Sequence, residues 1–67
     1  MPLISIDLTE GNLTIERKER LIAALTEAGV QVLGEIARSS TIVTIRETPR
    51  GNRGIAGKVH HGTYQDP

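Results

Sequence analysis

The sequence predicts an α+β fold: a β-α-β unit with parallel strands, a long amphipathic helix and a short C-terminal hairpin. Three observations support this prediction. Apolar and polar residues alternate near the start, apolar residues recur at helical spacing in the middle, and β-branched residues dominate a later segment. Because a strand, a helix and a strand follow one another, we expect a right-handed crossover between parallel strands.

The first strand is predicted over residues 2–9. Ile4, Ile6 and Leu8 alternate with polar residues, as in a strand with one buried face. Pro2 has the same parity as these residues, so we expect it on the apolar side. The turn-forming residues 10–12 then end the strand.

The helix is predicted to begin after Thr14, a suitable N-cap, and to stop at Gly34. Gly29 lies inside the helical pattern, where we expect it to permit close packing. The apolar stripe comprises Leu21, Ile22, Leu25, Ala28, Val32, Leu33 and Ile36.

The second strand is predicted over residues 40–47, which are rich in β-branched side chains. A turn-rich break follows, and residues 54–59 are predicted to form a short hairpin or an edge strand. We expect residues 1–59 to form a single domain and residues 60–67 to form a polar C-terminal tail.

Composition restricts the possible partners and predicts self-association. The 67 residues include no cysteine and a single aromatic residue, Tyr64, so one chain can build only a small aliphatic core. Eight acidic and eight basic side chains give zero formal charge, which argues against nucleic acid as a partner. No segment has transmembrane length and none resembles a signal peptide, so we expect no membrane partner and a cytoplasmic location.

The glycine-rich segment from Gly51 to Lys58 does not match a nucleotide-binding P-loop. Five residues separate Gly51 from Gly57 where that motif requires four. His60 and His61 are adjacent and lack the spacing of a metal-binding pair. We therefore expect neither a cofactor nor a metal.

Several motifs together resemble a known family. They are Met-Pro followed at once by a strand, the Glu10-Gly11 turn, the helix opening Thr-Ile-Glu-Arg-Lys, a second strand ending in Glu47, and the segment GNRGIAGK. Over residues 2–58 the chain resembles the 4-oxalocrotonate tautomerase (2-hydroxymuconate tautomerase) family. The resemblance implies β-α-β subunits that form dimers and hexamers, with active sites at subunit boundaries. It also implies a cofactor-independent isomerase acting on small unsaturated 2-hydroxy or 2-oxo acids.

The resemblance implies that Pro2 is the catalytic general base. A terminal α-amine has a pKa of about 7.7–8.0, and an apolar, cation-lined pocket lowers it further. This role requires removal of Met1, because an acylated nitrogen cannot accept a proton. The alternative is that Pro2 only begins an edge strand.

Three positions depart from the family pattern. Asn12 stands where the family has an arginine, and Thr41 or Ile42 stands where it has a second one. Arg53 replaces a pocket aromatic residue. The candidate substrate-binding residues are therefore Arg53, Arg46, Arg50, Asn12 and Ile42.

The arginines of this set have two possible roles. Arg53, together with Arg46 or Arg50, can hold a substrate carboxylate, for which a guanidinium is well suited. Alternatively, these arginines form a solvated face, or a paralogous chain supplies the missing arginines in a hetero-hexamer.

Two other functional classes remain open. One is a dehalogenase or hydratase-type relative, which needs a water-activating carboxylate; for Asp7, Glu10 and Glu47 we favour a structural role at the strand ends. The other is a non-catalytic oligomeric module with a degenerate site.

Overall fold

The computed structural model describes residues 1–11 and 13–59. The elements are strand β1 (Leu3–Thr9), helix α1 (Ile15–Leu33), a 3₁₀ helix (Glu35–Ser39), and strands β2 (Ile42–Thr48), β3 (Gly54–Ile55) and β4 (Lys58–Val59). The predicted β-α-β order with a C-terminal hairpin is confirmed. Asn12 and the predicted tail, residues 60–67, lie outside the described residues.

Strands β1 and β2 pair in parallel, as predicted, with Leu3 opposite Ile42 and Thr9 opposite Thr48. Ile4 is half-buried, as are the other apolar residues of its face, Ile6, Leu8, Val43 and Ile45. The outer face of the sheet is exposed along most of its length. The predicted alternation of β1 is therefore confirmed.

Helix α1 has the predicted termini. The Thr14 hydroxyl accepts a 3.1 Å hydrogen bond from the Arg17 N–H, which satisfies one of the free donors of the first turn. Gly34 ends the helix with φ 99°, a conformation that favours glycine, and its N–H donates to the Val30 carbonyl at 2.9 Å.

Gly29 does not have the packing role expected from the sequence. A Cβ atom added there would lie 3.9 Å from Ile4 Cδ1 and 3.9 Å from Thr41 Oγ1, which are ordinary van der Waals distances. The space between this turn of α1 and its neighbours is thus wide enough for the methyl group of an alanine at position 29.

The connection between α1 and β2 differs from the prediction. A 3₁₀ helix occupies residues Glu35–Ser39, and the N–H groups of Ser40 and Thr41 both donate to the Ala37 carbonyl, at 3.2 and 3.0 Å. These groups are therefore committed to the turn, and β2 begins at Ile42 and not at residue 40. Ile36, expected in the helical stripe, lies in the 3₁₀ helix and is 80% exposed.

The hairpin owes its tight turn to two residues with positive φ. Ala56 has φ 54° and Gly57 has φ 81°, as in the two-residue type I′ turns that join antiparallel strands. Gly54 pairs with Val59 and Ile55 pairs with Lys58. Ile55 and Val59 are each 57% exposed, so the hairpin presents apolar side chains to its surroundings.

The hydrophobic core of the single chain is small. Among the described residues, only Val30 and Ala37 are buried. The exposed large apolar side chains are those of Met1, Leu3, Ile15, Ile22, Val32, Leu33, Ile36, Ile42, Ile55 and Val59. An exposed set of this size is typical of a surface that contacts another molecule. The expected oligomeric state stays a prediction.

Over residues 1–11 and 13–59, no helix is long and apolar enough to cross a membrane.

Candidate active site

Pro2 lies directly before β1 and is held beside the start of β2. Its carbonyl accepts a 2.9 Å hydrogen bond from the Ile42 N–H. Pro2 is half-buried, whereas Met1 is 85% exposed. The nitrogen that joins these two residues therefore lies between a half-buried and an exposed residue.

The surroundings of Pro2 at this end of the sheet are apolar. Ile42, 45% exposed, is the register partner of Leu3, 71% exposed. We call the region formed by Pro2, Leu3 and Ile42 the Pro2 end of the sheet. The structure thus brings together two residues proposed from the sequence, Pro2 and Ile42.

Arg38 is the last cation before the start of β2, and two carboxylates bind it. Its Nη1 lies 2.6 Å from Glu27 Oε2 and its Nη2 lies 3.1 Å from Glu27 Oε1, while Nε donates to Glu35. The hydrogen bonds to Arg38 lower the pKa of both carboxyl groups, and the same bonds raise the pKa of Arg38. The sequence analysis did not identify this cluster, although the i, i+3 spacing of Glu35 and Arg38 was a signal for part of it.

Arg46 lies on the exposed outer face of β2, four residues beyond Ile42. Four strand residues correspond to about 13 Å, so Arg46 is distant from the Pro2 end of its own chain. Its register partner in β1 is Asp7, so opposite charges are adjacent on this face.

Arg50 connects the loop after β2 to the turn after β1. Its backbone N–H donates to Glu10 Oε2 at 3.2 Å, and its side chain lies against Gly11, where an added Cβ would be 2.5 Å from Nη2. Gly11 also has φ 133°, which favours glycine. Because β1 and β2 are parallel, this contact is at the opposite end of the sheet from Pro2, about 26 Å away along the strand.

Arg53 has a partly unsatisfied guanidinium. The residue is half-buried, and its Nε is buried with no hydrogen-bond partner among the described residues. Buried polar nitrogens in folded proteins are nearly always hydrogen-bonded, so this one is a candidate donor for a ligand or a second chain. Arg53 lies on the loop that leaves the end of the sheet opposite Pro2.

The carboxylates considered for water activation have structural contacts or a cationic neighbour. Glu47 forms a 2.7 Å ion pair with Lys18 of α1, and Glu10 accepts from Arg50. Asp7 is paired in register with Arg46. Over the described parts of the chain, no group of three or more His, Cys, Asp or Glu side chains is arranged to hold a metal ion.

A family model described as "Tautomerase enzyme" matches residues 2–62. The chain belongs to the tautomerase family. It is 47% identical over 67 residues to a probable tautomerase of Ralstonia nicotianae, covering 100% of this chain and 93% of that relative. It is 38% identical over 58 residues to probable tautomerase K2 of Dickeya dadantii, covering 87% of this chain and 85% of that relative.

A solved structure agrees with the family assignment. The crystal structure of apo unfused 4-OT matches this tautomerase chain with a TM-score of 0.75 and 38% identity, over 88% of this chain and 93% of the other. The abbreviation 4-OT stands for 4-oxalocrotonate tautomerase. The resemblance inferred from the sequence is thus confirmed, and the chain is a 4-OT-like, isomerase-type member of the family.

Proposed function

We propose that Pro2, exposed as the terminal residue by removal of Met1, is the general base of a cofactor-independent tautomerase. The substrate is a small unsaturated 2-hydroxy or 2-oxo acid. The observation that best supports this proposal is the position of Pro2, fixed by the Ile42 N–H at an apolar end of the sheet. Apolar surroundings disfavour the ammonium form and keep a secondary amine able to accept a proton near neutral pH.

The proposed reaction moves one proton within the substrate. The Pro2 nitrogen accepts a proton from one position of the enol or keto acid and returns it to a different carbon. Substrate and product therefore contain the same atoms, and no second reactant is consumed. Charge that develops toward the carboxylate is stabilised by a nearby cation.

Arg53 is our candidate for that cation, supplied by a neighbouring copy of the chain. Within one chain Arg53 follows the end of the sheet opposite Pro2, so a site that contains both residues is naturally built between subunits. A homo-hexamer provides such boundaries, and a hetero-hexamer with a paralogue is the alternative. Arg46 and Arg50 remain predicted substrate contacts, as does Asn12, which lies outside the described residues.

The experiment that tests this proposal is the ketonisation of phenylenolpyruvate by wild type and by Pro2→Ala. Because general base catalysis contributes about 10²–10⁴-fold, we expect the variant to lose at least about 100-fold in kcat. Ser5→Ala, in the same strand on its exposed face, is the matched control and should keep wild-type activity. Mass spectrometry of each protein verifies that Met1 has been removed.

Equal activity of wild type and Pro2→Ala would contradict the proposal. Wild-type activity from a preparation in which Met1 is intact throughout would do so as well, because the nitrogen would then be an amide.

A second candidate is a non-catalytic oligomeric module. It is favoured by the engagement of Arg38 with Glu27 and Glu35, which occupies this guanidinium with two carboxylates of its own chain. A hydratase-type or dehalogenase activity has less support, since Glu10 accepts from the Arg50 backbone N–H and Glu47 is paired with Lys18, both away from Pro2. The Pro2→Ala comparison separates the module from the enzyme.

A further inference from the structure

The Pro2 end of the sheet offers apolar contact to a bound molecule. Leu3 and Ile42 expose 71% and 45% of their surface there, and the Ile42 amide is bonded to Pro2 itself. A substrate held at the Pro2 nitrogen therefore lies close to aliphatic side chains. An apolar substituent gains from this contact, whereas a charged group loses hydration without compensation.

The charged cluster formed by Glu27 of α1 with Glu35 and Arg38 of the 3₁₀ helix is unfavourable for an additional carboxylate. Arg38 is the single cation between Leu33 and Ile42, and Glu27 and Glu35 both bind it. Two ionised carboxylates and one guanidinium give this cluster a net charge of about −1, since all three groups are ionised at neutral pH. It repels anions.

Most of the other candidate cations already have an acidic neighbour. Lys18 is paired with Glu47, and Arg46 is adjacent to Asp7 in the strand register. The Arg50 side chain lies against Gly11, and its Nε donates to the Glu10 backbone carbonyl at 3.5 Å. Arg53 differs, because its buried Nε has no partner among the described residues. The proposed site between two copies therefore combines one available guanidinium with apolar walls.

We propose that the Pro2 site selects enol or keto acids that have one carboxylate and an apolar substituent, and discriminates against dicarboxylates. This inference rests on the proposed function, because it assumes a substrate at Pro2 with its carboxylate on Arg53. A dicarboxylate would leave its second carboxylate unpaired beside Ile42 and Leu3. Burying an unpaired charged group is costly enough to produce discrimination of about tenfold or more.

The kinetic test compares kcat/KM for phenylenolpyruvate, a monocarboxylate, and 2-hydroxymuconate, a dicarboxylate. We expect wild type to favour the monocarboxylate by about tenfold or more. Ile42→Arg places a guanidinium next to Pro2 and should shift this ratio toward the dicarboxylate by about tenfold. Thr44→Arg is the matched control, since it adds the same charge to the same face of β2 about 6–7 Å further from Pro2 and should leave the ratio near that of wild type.

A binding measurement tests the inference without relying on turnover or on the Ile42→Arg variant. Cinnamate and muconate, stable analogues of the two classes, are titrated into wild type while the NMR signal of the Ile42 amide is followed. Tighter binding of cinnamate supports the inference, and equal or tighter binding of muconate overturns it. Failure of the proposed function has a different signature, namely unchanged turnover of both substrates in Pro2→Ala.

Discussion

At the scale of single residues, the contacts of each arginine distinguish side chains that look equivalent in the sequence. Arg50 and Arg53 are three positions apart in the same loop. Arg50 is held against Glu10 and Gly11, whereas the Nε of Arg53 is buried and has no hydrogen-bond partner within residues 1–11 and 13–59. Since an unsatisfied buried donor is unfavourable, Arg53 has the most to gain from a bound carboxylate.

We predict that Arg53→Ala raises KM for carboxylate substrates by about 10–100-fold, because hydrogen bonds to charged groups contribute about 1.5–3 kcal/mol. Steady-state kinetics with phenylenolpyruvate and with its neutral carboxamide measure the effect. The KM for the carboxamide should change little. Lys58→Ala, which removes an exposed cation from β4, is the control. An equal rise in KM for both substrates would show that Arg53 does not bind the substrate carboxylate.

At the scale of secondary-structure elements, local signals at both ends of α1 determine its length. Thr14 caps the first turn and Gly34 ends the last one in a left-handed conformation. Gly29, inside α1, has neither a positive φ nor a close neighbour that requires glycine. In the interior of a helix, glycine costs stability because the unfolded chain is more flexible at that position.

We therefore predict that Gly29→Ala stabilises the protein by about 0.5–1 kcal/mol. Chemical denaturation followed by circular dichroism, at a fixed protein concentration, measures the change. Gly34→Ala is the matched comparison and should destabilise the protein, because its φ of 99° is unfavourable for alanine. A loss of stability in Gly29→Ala would mean that the space beside Ile4 and Thr41 is filled in the assembled protein.

At the scale of the whole molecule, the single chain exposes more apolar surface than it buries in a core. Val32 and Ile36 are 84% and 80% exposed, and Leu3 and Ile42 are exposed at the Pro2 end. A chain of this length without disulfides gains stability by covering such residues with a second copy. The proposed active site has the same requirement, because Arg53 lies on the loop that follows the end of the β1–β2 sheet opposite Pro2.

We predict that Val32→Lys weakens assembly and lowers activity per subunit, since a lysine placed in a subunit contact must lose hydration. Analytical ultracentrifugation measures the size of the assembly, and phenylenolpyruvate ketonisation is assayed on the same samples. Gln31→Lys adds the same charge at the neighbouring exposed position and should leave both properties unchanged. An assembled, fully active Val32→Lys protein would exclude this face from the interface.

Elements with local signals were predictable from the amino-acid pattern alone. Three features were predicted from residues close together in the chain: the alternation of Ile4, Ile6 and Leu8, the caps at Thr14 and Gly34, and the glycine-rich hairpin. The structure confirms all three. The motifs beginning at Met-Pro also identified the family. Such features are predictable because hydrogen bonds and burial within one strand, turn or helix depend on neighbouring residues.

The start of β2 and the partners of the charged residues depend on contacts between distant segments of the chain. The bonds to the Ala37 carbonyl move the start of β2 to Ile42. Arg50 meets Glu10 from 40 positions away, and Arg38 meets Glu27 from 11 positions away. Periodicity does not reveal such contacts, because they arise only when the parallel sheet and its helix bring separate segments together.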